Sequence, residues 1–322
     1  MALEQPGLQW SRYLAWRRHL AQLLVYDGKA FRAEETGTPH DLRWAAWRPD
    51  GALALLAGNS GTLVERRGGA YHAINTARSE NLRGVDWRPD GAEALAVGNS
   101  GVILRIAHDS VERVPFPTPV ALRRVAYHPS GEYALVAGND GLLVRVDSNG
   151  ARAAGFGAGH LRTVAWHPGG REALVCANHA LYRYDPFTDA LALVSELGGD
   201  AIDASWRPDG SEALVAGFLQ GDGIWQRAGA LWRWDSKRLE QLALGRTLPP
   251  LTGVAWRPQG DSALVVSNAG GTPVESGIYA YRDGALTRLL ADESTRFLRA
   301  FWSPDGLRAL VLGSPRARFW MA

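Results

Sequence analysis

Short apolar runs alternate along this chain with clusters of glycine, asparagine, aspartate and proline. One stretch shows the pattern well. Leu122-Arg123-Arg124-Val125-Ala126-Tyr127 is followed by Pro129-Ser130-Gly131, then Tyr133-Ala134-Leu135-Val136-Ala137, then Gly138-Asn139-Asp140-Gly141, then Leu142-Leu143-Val144-Arg145-Val146. The runs are too short for helices and rich in valine and leucine, and their punctuation is that of strands joined by tight turns. Proline presets φ and glycine accepts a positive φ, so Pro-Asp-Gly joins a first strand to a second. Gly58-Asn59-Ser60-Gly61, Gly98-Asn99-Ser100-Gly101 and Gly138-Asn139-Asp140-Gly141 join a second strand to a third. A weaker fourth strand follows, as at residues 110–114.

The pattern recurs. Trp47-Arg48-Pro49-Asp50-Gly51 returns with its aromatic at Trp87, Tyr127, Trp166, Trp206, Trp256 and Trp302, at intervals of 40, 40, 39, 40, 50 and 46 residues. A period near 40 marks stacked supersecondary units. Four short antiparallel strands repeated seven times predict an all-β fold, a seven-bladed β-propeller whose blades bury their faces against one another. The blades start near residues 42, 82, 122, 161, 201, 251 and 297. Residues 1–322 therefore form one domain, because a blade cannot stand alone. A chain of this length buries about three-quarters of its unfolded surface without disulfides.

The ends are less regular. Residues 1–20 form an extension, and residues 11–24 fit either a helix or a decayed inner strand. Residues 21–41 read as a hairpin turning at Asp27-Gly28. The fourth strand of blade 7 is missing after Met321, and the arm at residues 30–34 sits where it belongs, so an N-terminal strand closes the ring. Residues 23–26 and 318–321 both resemble the third strand of that blade.

With its repeated Trp-x-Pro-Asp-Gly turn over residues 42–322, the chain resembles WD40-like and TolB-like propellers. The Trp-Asp dipeptide of WD40 blades appears only as Trp234-Asp235 and the Gly-His pair only as Gly159-His160, which places the resemblance with the wider family. It implies a binding platform more often than an enzyme, and fold alone does not decide between them.

Chemistry enters through register. Four residues before the aromatic stand Arg43, Arg83, Arg123 and Arg162 in blades 1 to 4, then Ile202, Thr252 and Leu298. Arg124, Asp203 and Arg299 stand one position further on. Equivalent residues of successive blades surround one axis, so these arginines line half of a channel mouth and suit carboxylate or phosphate groups. The plain alternative is that each arginine pairs with a carboxylate or carbonyl of a neighbouring blade. Insertions at residues 218–228 and 268–277 share that face and offer Phe218 and Trp225 as aromatic anchors. His40 and His160 precede inner strands on the same side. A second ring after the aromatic, led by Arg48, Arg88, Arg207 and Arg257, has aspartates in its own turns and reads as structural. Asp86 reads as a paired structural carboxylate.

Other classes recede. No His-x-x-x-His or Cys-x-x-Cys spacing supports a metal site, and the lone Cys176 excludes a disulfide framework. No nucleophile elbow, P-loop or dinucleotide fingerprint is present, and no cofactor is implied. A net charge of +2 and the lack of interleaved cations and aromatics argue against a nucleic-acid partner. No apolar run approaches the roughly 20 residues of a spanning helix. The start of the chain lacks an apolar signal core, so the expectation is a cytoplasmic protein with no membrane partner. The leading expectation for function is a non-catalytic scaffold binding an acidic protein or peptide across the arginine face. The alternative is a lyase or hydrolase acting on an anionic small molecule there, with His40, His160 and Asp203 as its acid–base groups.

Overall fold

A computed structural model describes residues 22–108, 110–221, 227–245, 247–269 and 275–315. They form seven four-stranded antiparallel sheets. Blades 1 to 6 run from inside outward in chain order. In blade 3 the strands are Leu122–Tyr127, Tyr133–Gly138, Leu142–Asp147 and Gly150–Phe156. Each inner strand touches that of the next blade, and the seventh touches the first, which closes the ring.

Blade 7 is assembled from both ends of the chain. Its inner strands are Thr295–Trp302 and Ala309–Pro315, its third is Gln22–Tyr26 and its outer strand is Phe31–Glu34. Two N-terminal strands complete the blade where the sequence argued for one, and the pairing of Leu23 with Leu312 and Glu34 sets their register. Residues 23–26 thus occupy the third position, and residues 318–321 and 11–21 lie outside the described part. Glu34 then ties the closing arm to blade 1. Both its oxygens accept hydrogen bonds from the buried Arg66 guanidinium, at 2.9 and 3.0 Å, and Tyr71 donates to the same carboxylate.

The core lies between blades, because each sheet is apolar on both faces and covers its neighbours. One cluster joins Leu95, Val97 and Ile103 of blade 2 to Leu122, Val125 and Val136 of blade 3. Another joins Leu23, Leu310 and Leu312 of blade 7 to Leu42, Leu56 and Val64 of blade 1. The repeated tryptophans add a polar link. The indole N–H of Trp47, Trp166, Trp206 and Trp302 donates to the carbonyl of Phe301, Ala126, Ala165 and Ala255 in the preceding blade, at 3.1 to 3.2 Å.

At the far end of the channel the second ring is engaged within its own turns and with the next blade. Arg48 and Arg88 grip Asp50 and Asp90, and Arg257 reaches the Gly306 carbonyl of the next blade at 2.9 Å. The exposed Asp50 and Asp90 carboxyls sit below the usual carboxylate range, held down first by the arginine hydrogen bonds and then by turn N–H groups.

Candidate binding site at the channel mouth

In all seven blades the pairing of inner and second strands skips one residue. The skipped residues are Arg43, Arg83, Arg123, Arg162, Ile202, Thr252 and Leu298. Such a bulge leaves its extra residue out of the ladder and re-aims the side chain. The arginine register is therefore a bulge register, and the four side chains turn toward the entry of the strand.

What they meet there is neither a carboxylate nor a carbonyl of another blade. Each Nε donates to the side-chain oxygen of an asparagine in its own blade, sixteen residues on. Arg43 reaches Asn59 at 3.0 Å, Arg83 reaches Asn99 at 2.5 Å, Arg162 reaches Asn178 at 2.8 Å, and Arg123 reaches Asn139. These asparagines belong to the turns between second and third strands, so the contacts place those turns and the strand entries at one end of the channel. In blade 4 the asparagine is itself held, since its Nδ2 donates to the buried Asp200 carboxylate at 3.0 Å. An amide oxygen fixes the inner edge of a guanidinium without cancelling its charge.

Arg43 has a carboxylate nearby, Asp41 at 3.5 Å. Among the described residues no carboxylate lies within ion-pair distance of Arg83, Arg123 or Arg162, all half-buried. Burial pushes the pKa of each of the three down, that of Arg123 to about 10. Repulsion adds to burial: Arg43 and Arg162 act on Arg83, and Arg162 and Arg83 on Arg123. Guanidinium stays charged in any such setting, so the shifts record first the cost of burial, with crowding of cations adding to it at Arg83 and Arg123 and the Asp200 carboxylate offsetting it at Arg162.

Beneath this ring the channel has a floor. One step further along the inner strands stand Trp44, Gly84, Arg124, Thr163, Asp203, Gly253 and Arg299. Trp44 is buried. The Arg124 guanidinium of blade 3 lies on its ring, Arg299 of blade 7 is 5.5 Å from its centroid, and Phe301 meets it edge-on at 4.7 Å. One side chain touching blades 3 and 7 from blade 1 reaches across the axis. Two glycines make room. A Cβ on Gly84 would come to 3.0 Å from the Arg124 Cα, and one on Gly253 to 3.1 Å from the Arg299 Cα and Cδ.

The floor carries both signs of charge. Asp203 lies 3.4 Å from Arg299 and accepts the Val254 N–H at 3.2 Å. Asp86 accepts the Tyr127 N–H at 2.8 Å. Burial pushes the Asp86 carboxyl up to about 6 against the pull of that N–H and of Arg124, and it raises Asp203 in the same way. Burial likewise pulls Arg124 down to about 9, although Asp203 and Asp86 both favour its charge. Its Nε and Nη1 are shielded from solvent and have no hydrogen-bond partner among the described residues.

Several sequence candidates are not where their roles required. Phe218 is buried, with the Arg227 guanidinium 4.7 Å from its ring; it belongs to a lengthened second strand, Ala213–Gln220, and offers no exposed anchor. Trp225 lies outside the described residues. The half-buried His160 accepts the Asp140 N–H at 3.1 Å, capping a turn of blade 3. Asn81 and Asp200, at the same register, cap Ser60 and His179 at 2.9 and 3.2 Å, so this is a repeat device. Each capped residue has a positive φ of 54 to 59°, a conformation that needs local support. His40 is exposed beside Thr38. The histidines and Asp203 are thus separate, and Asp203 is committed to the floor. Among the described residues no group of three or more histidines, cysteines, aspartates or glutamates is placed to hold a metal ion.

The asparagine clamps were not foreseen. Their signal was present in the Gly-Asn-x-Gly turns at a constant offset from the arginines, but the turn chemistry alone already accounts for asparagine there.

No family model and no curated protein matches this chain. Among solved structures it is similar to Kuenenia stuttgartiensis hydrazine synthase, with a TM-score of 0.68 over 82% of this chain and 90% of that one, at 13% identity. That likeness supports the fold and carries no chemistry across.

Proposed function

We propose that this chain is a non-catalytic interaction scaffold that binds an acidic segment of a protein or peptide partner across the channel mouth. The observation that carries the reading is the set Arg83, Arg123 and Arg162. Three cations from successive blades are held on neutral clamps, repel one another, and lack carboxylate partners among the described residues. Such a cluster raises the local concentration of anions and lowers its own cost when one arrives. Blades 5 to 7 place Ile202, Thr252 and Leu298 at the same register, so the cationic wall faces a neutral one and a ligand has a preferred orientation. The Trp-x-Pro-Asp-Gly turns support kinship with the WD40-like and TolB-like propellers, many of which are binding platforms. The floor of Trp44, Arg124 and Arg299 favours a group that enters from the mouth over one that threads the channel.

An enzyme acting on a small anion would need an acid–base group beside those arginines. Asp203 is spent on Arg299 and His160 on a turn, which favours binding. The test is a panel of acidic peptides titrated into the wild-type protein and the R83Q/R123Q variant at low and high salt. Loss of affinity and of salt dependence in the variant is the expected result. Equal binding by both would move the functional surface elsewhere.

A further inference from the structure

A second surface lies on the outer wall between blades 4 and 5, and it does not depend on the mouth. Four arginines occupy one register of the third strands: Arg105, Arg145, Arg183 and Arg233, each opposite a second-strand leucine. Three of them have carboxylates. Arg105 has Glu93 at 3.4 Å, Arg145 has Asp147 at 3.7 Å, and Arg233 has Glu240 at 2.6 Å. Among the described residues Arg183 has none within 4.0 Å. The glutamate that corresponds to Glu93 in blade 4 is Glu172, and it is occupied by Ser236 of blade 5 and by Arg171.

Arg183 faces a cleft of about 510 Å³ that Lys237 and Arg238 also line, with Leu193 and Ser195 along one wall and Trp234 beneath. Lys237 and Arg238 likewise have no carboxylate partner among the described residues, and all three cations are exposed. The cleft exists because the blades differ in length. The outer strand of blade 4, Ala190–Glu196, has seven residues, whereas that of blade 5, Leu239–Gln241, has three. Ala190–Glu196 is the outermost strand of its sheet, so one edge of it is unpaired, and its residues 192–195 form the wall of the cleft above the shorter neighbour. Leu193, 53% exposed, adds an apolar contact.

We infer that this cleft docks an extended acidic segment of a partner protein, laid along the free edge of Ala190–Glu196. An edge strand offers backbone N–H and C=O groups that an added strand pairs with, and side chains on alternate positions give the specificity. Acidic side chains on one face of the segment would meet Arg183, Lys237 and Arg238, and apolar ones would meet Leu193. A nucleic acid suits the cleft less well. The aromatic in it, Trp234, is 6% exposed and presents no open face on which a base could stack.

The experiment uses the full chain and a fluorescent, end-capped peptide of alternating glutamate and valine, as long as the strand it would pair with. Comparison probes are the same peptide with lysine for glutamate and a single-stranded oligonucleotide. The protein variants are R83Q/R123Q, which removes the mouth as a competing site, and R83Q/R123Q/R183Q/K237Q. The glutamate peptide should bind the fourfold variant about three- to tenfold more weakly than R83Q/R123Q, the loss set by two exposed charge contacts. The urea midpoints of the two variants should agree because Arg183 and Lys237 are exposed. Equal affinity in the two variants, no binding by R83Q/R123Q, or preference for the oligonucleotide or the lysine peptide would each overturn the assignment.

Discussion

Replacing Leu23 by alanine tests ring closure at one side chain. Leu23 is fully buried in the third strand of blade 7, where it packs with Leu310 and Leu312 of its own blade and with Leu42, Leu56 and Val64 of blade 1. It pairs with Leu312 on one side and Glu34 on the other. The truncation removes three carbon atoms, worth about 2 kcal/mol of transfer free energy. The sheets on either side are held by their own ladders and collapse poorly, so a cavity term of about 1–2 kcal/mol adds to this. The expected loss is about 3–4 kcal/mol. Urea unfolding followed by tryptophan fluorescence measures it, and with a slope of about 3 kcal/mol/M the midpoint falls by about 1 M. Phe156→Ala is the control, since that ring is 70% exposed and a surface change of this kind stays within about 0.5 kcal/mol. If Leu23→Ala moved the midpoint no further than Phe156→Ala, the N-terminal strand would not be part of the ring.

Two further outcomes follow from the packing and the floor. Trp206→Ala should cost about 3–5 kcal/mol, because the ring is buried and its N–H serves Ala165; Trp87→Ala should cost less in the same urea assay, since that indole is half-buried and its N–H finds no partner among the described residues. Asp86 has a folded pKa of about 6, raised from 3.8, so the folded state binds the extra proton between those values and this group's contribution to stability falls as pH rises through the window. Asp86→Asn removes that contribution. Its stability should therefore rise more steeply than wild type from pH 4 to pH 6, by about 1.4 kcal/mol for each unit separating the two pKa values, and parallel profiles would show that Asp86 is not the titrating group.

Local rules carried the fold a long way. The Trp-x-Pro-x-Gly turn, the glycine–asparagine turn and the Asp27-Gly28 hairpin each specify their own geometry from adjacent residues, and their repetition specifies the ring. The third strand of blade 7 was ambiguous because residues 23–26 and 318–321 present similar apolar patterns, and only pairing with Ala309–Pro315 distinguishes a strand in place.

The candidate site was legible in outline and not in contact. The arginine register could be read, but the bulge that aims it has no local signature, since one extra residue in Leu122-Arg123-Arg124-Val125 looks like ordinary strand. The meeting of Arg124 with Trp44 skips a whole blade and depends on Gly84 leaving space, a relation among residues about 40 apart in pairs. Arg183 stands opposite Ala192 where Arg233 stands opposite Glu240, a difference the sequence carries, whereas the engagement of Glu172 with Ser236 and Arg171 is a contact that no local pattern encodes.

The central claim is that the channel mouth is an anion-binding face built by Arg83, Arg123 and Arg162. It is tested most directly by the salt dependence of acidic-peptide affinity in wild type and in R83Q/R123Q, measured by titration calorimetry. Charges at a wetted mouth are screened over about 8 Å at physiological ionic strength. Wild-type affinity should accordingly fall as salt is raised, while the variant binds weakly with a shallow dependence. The same affinity and the same salt slope in both proteins would contradict the account.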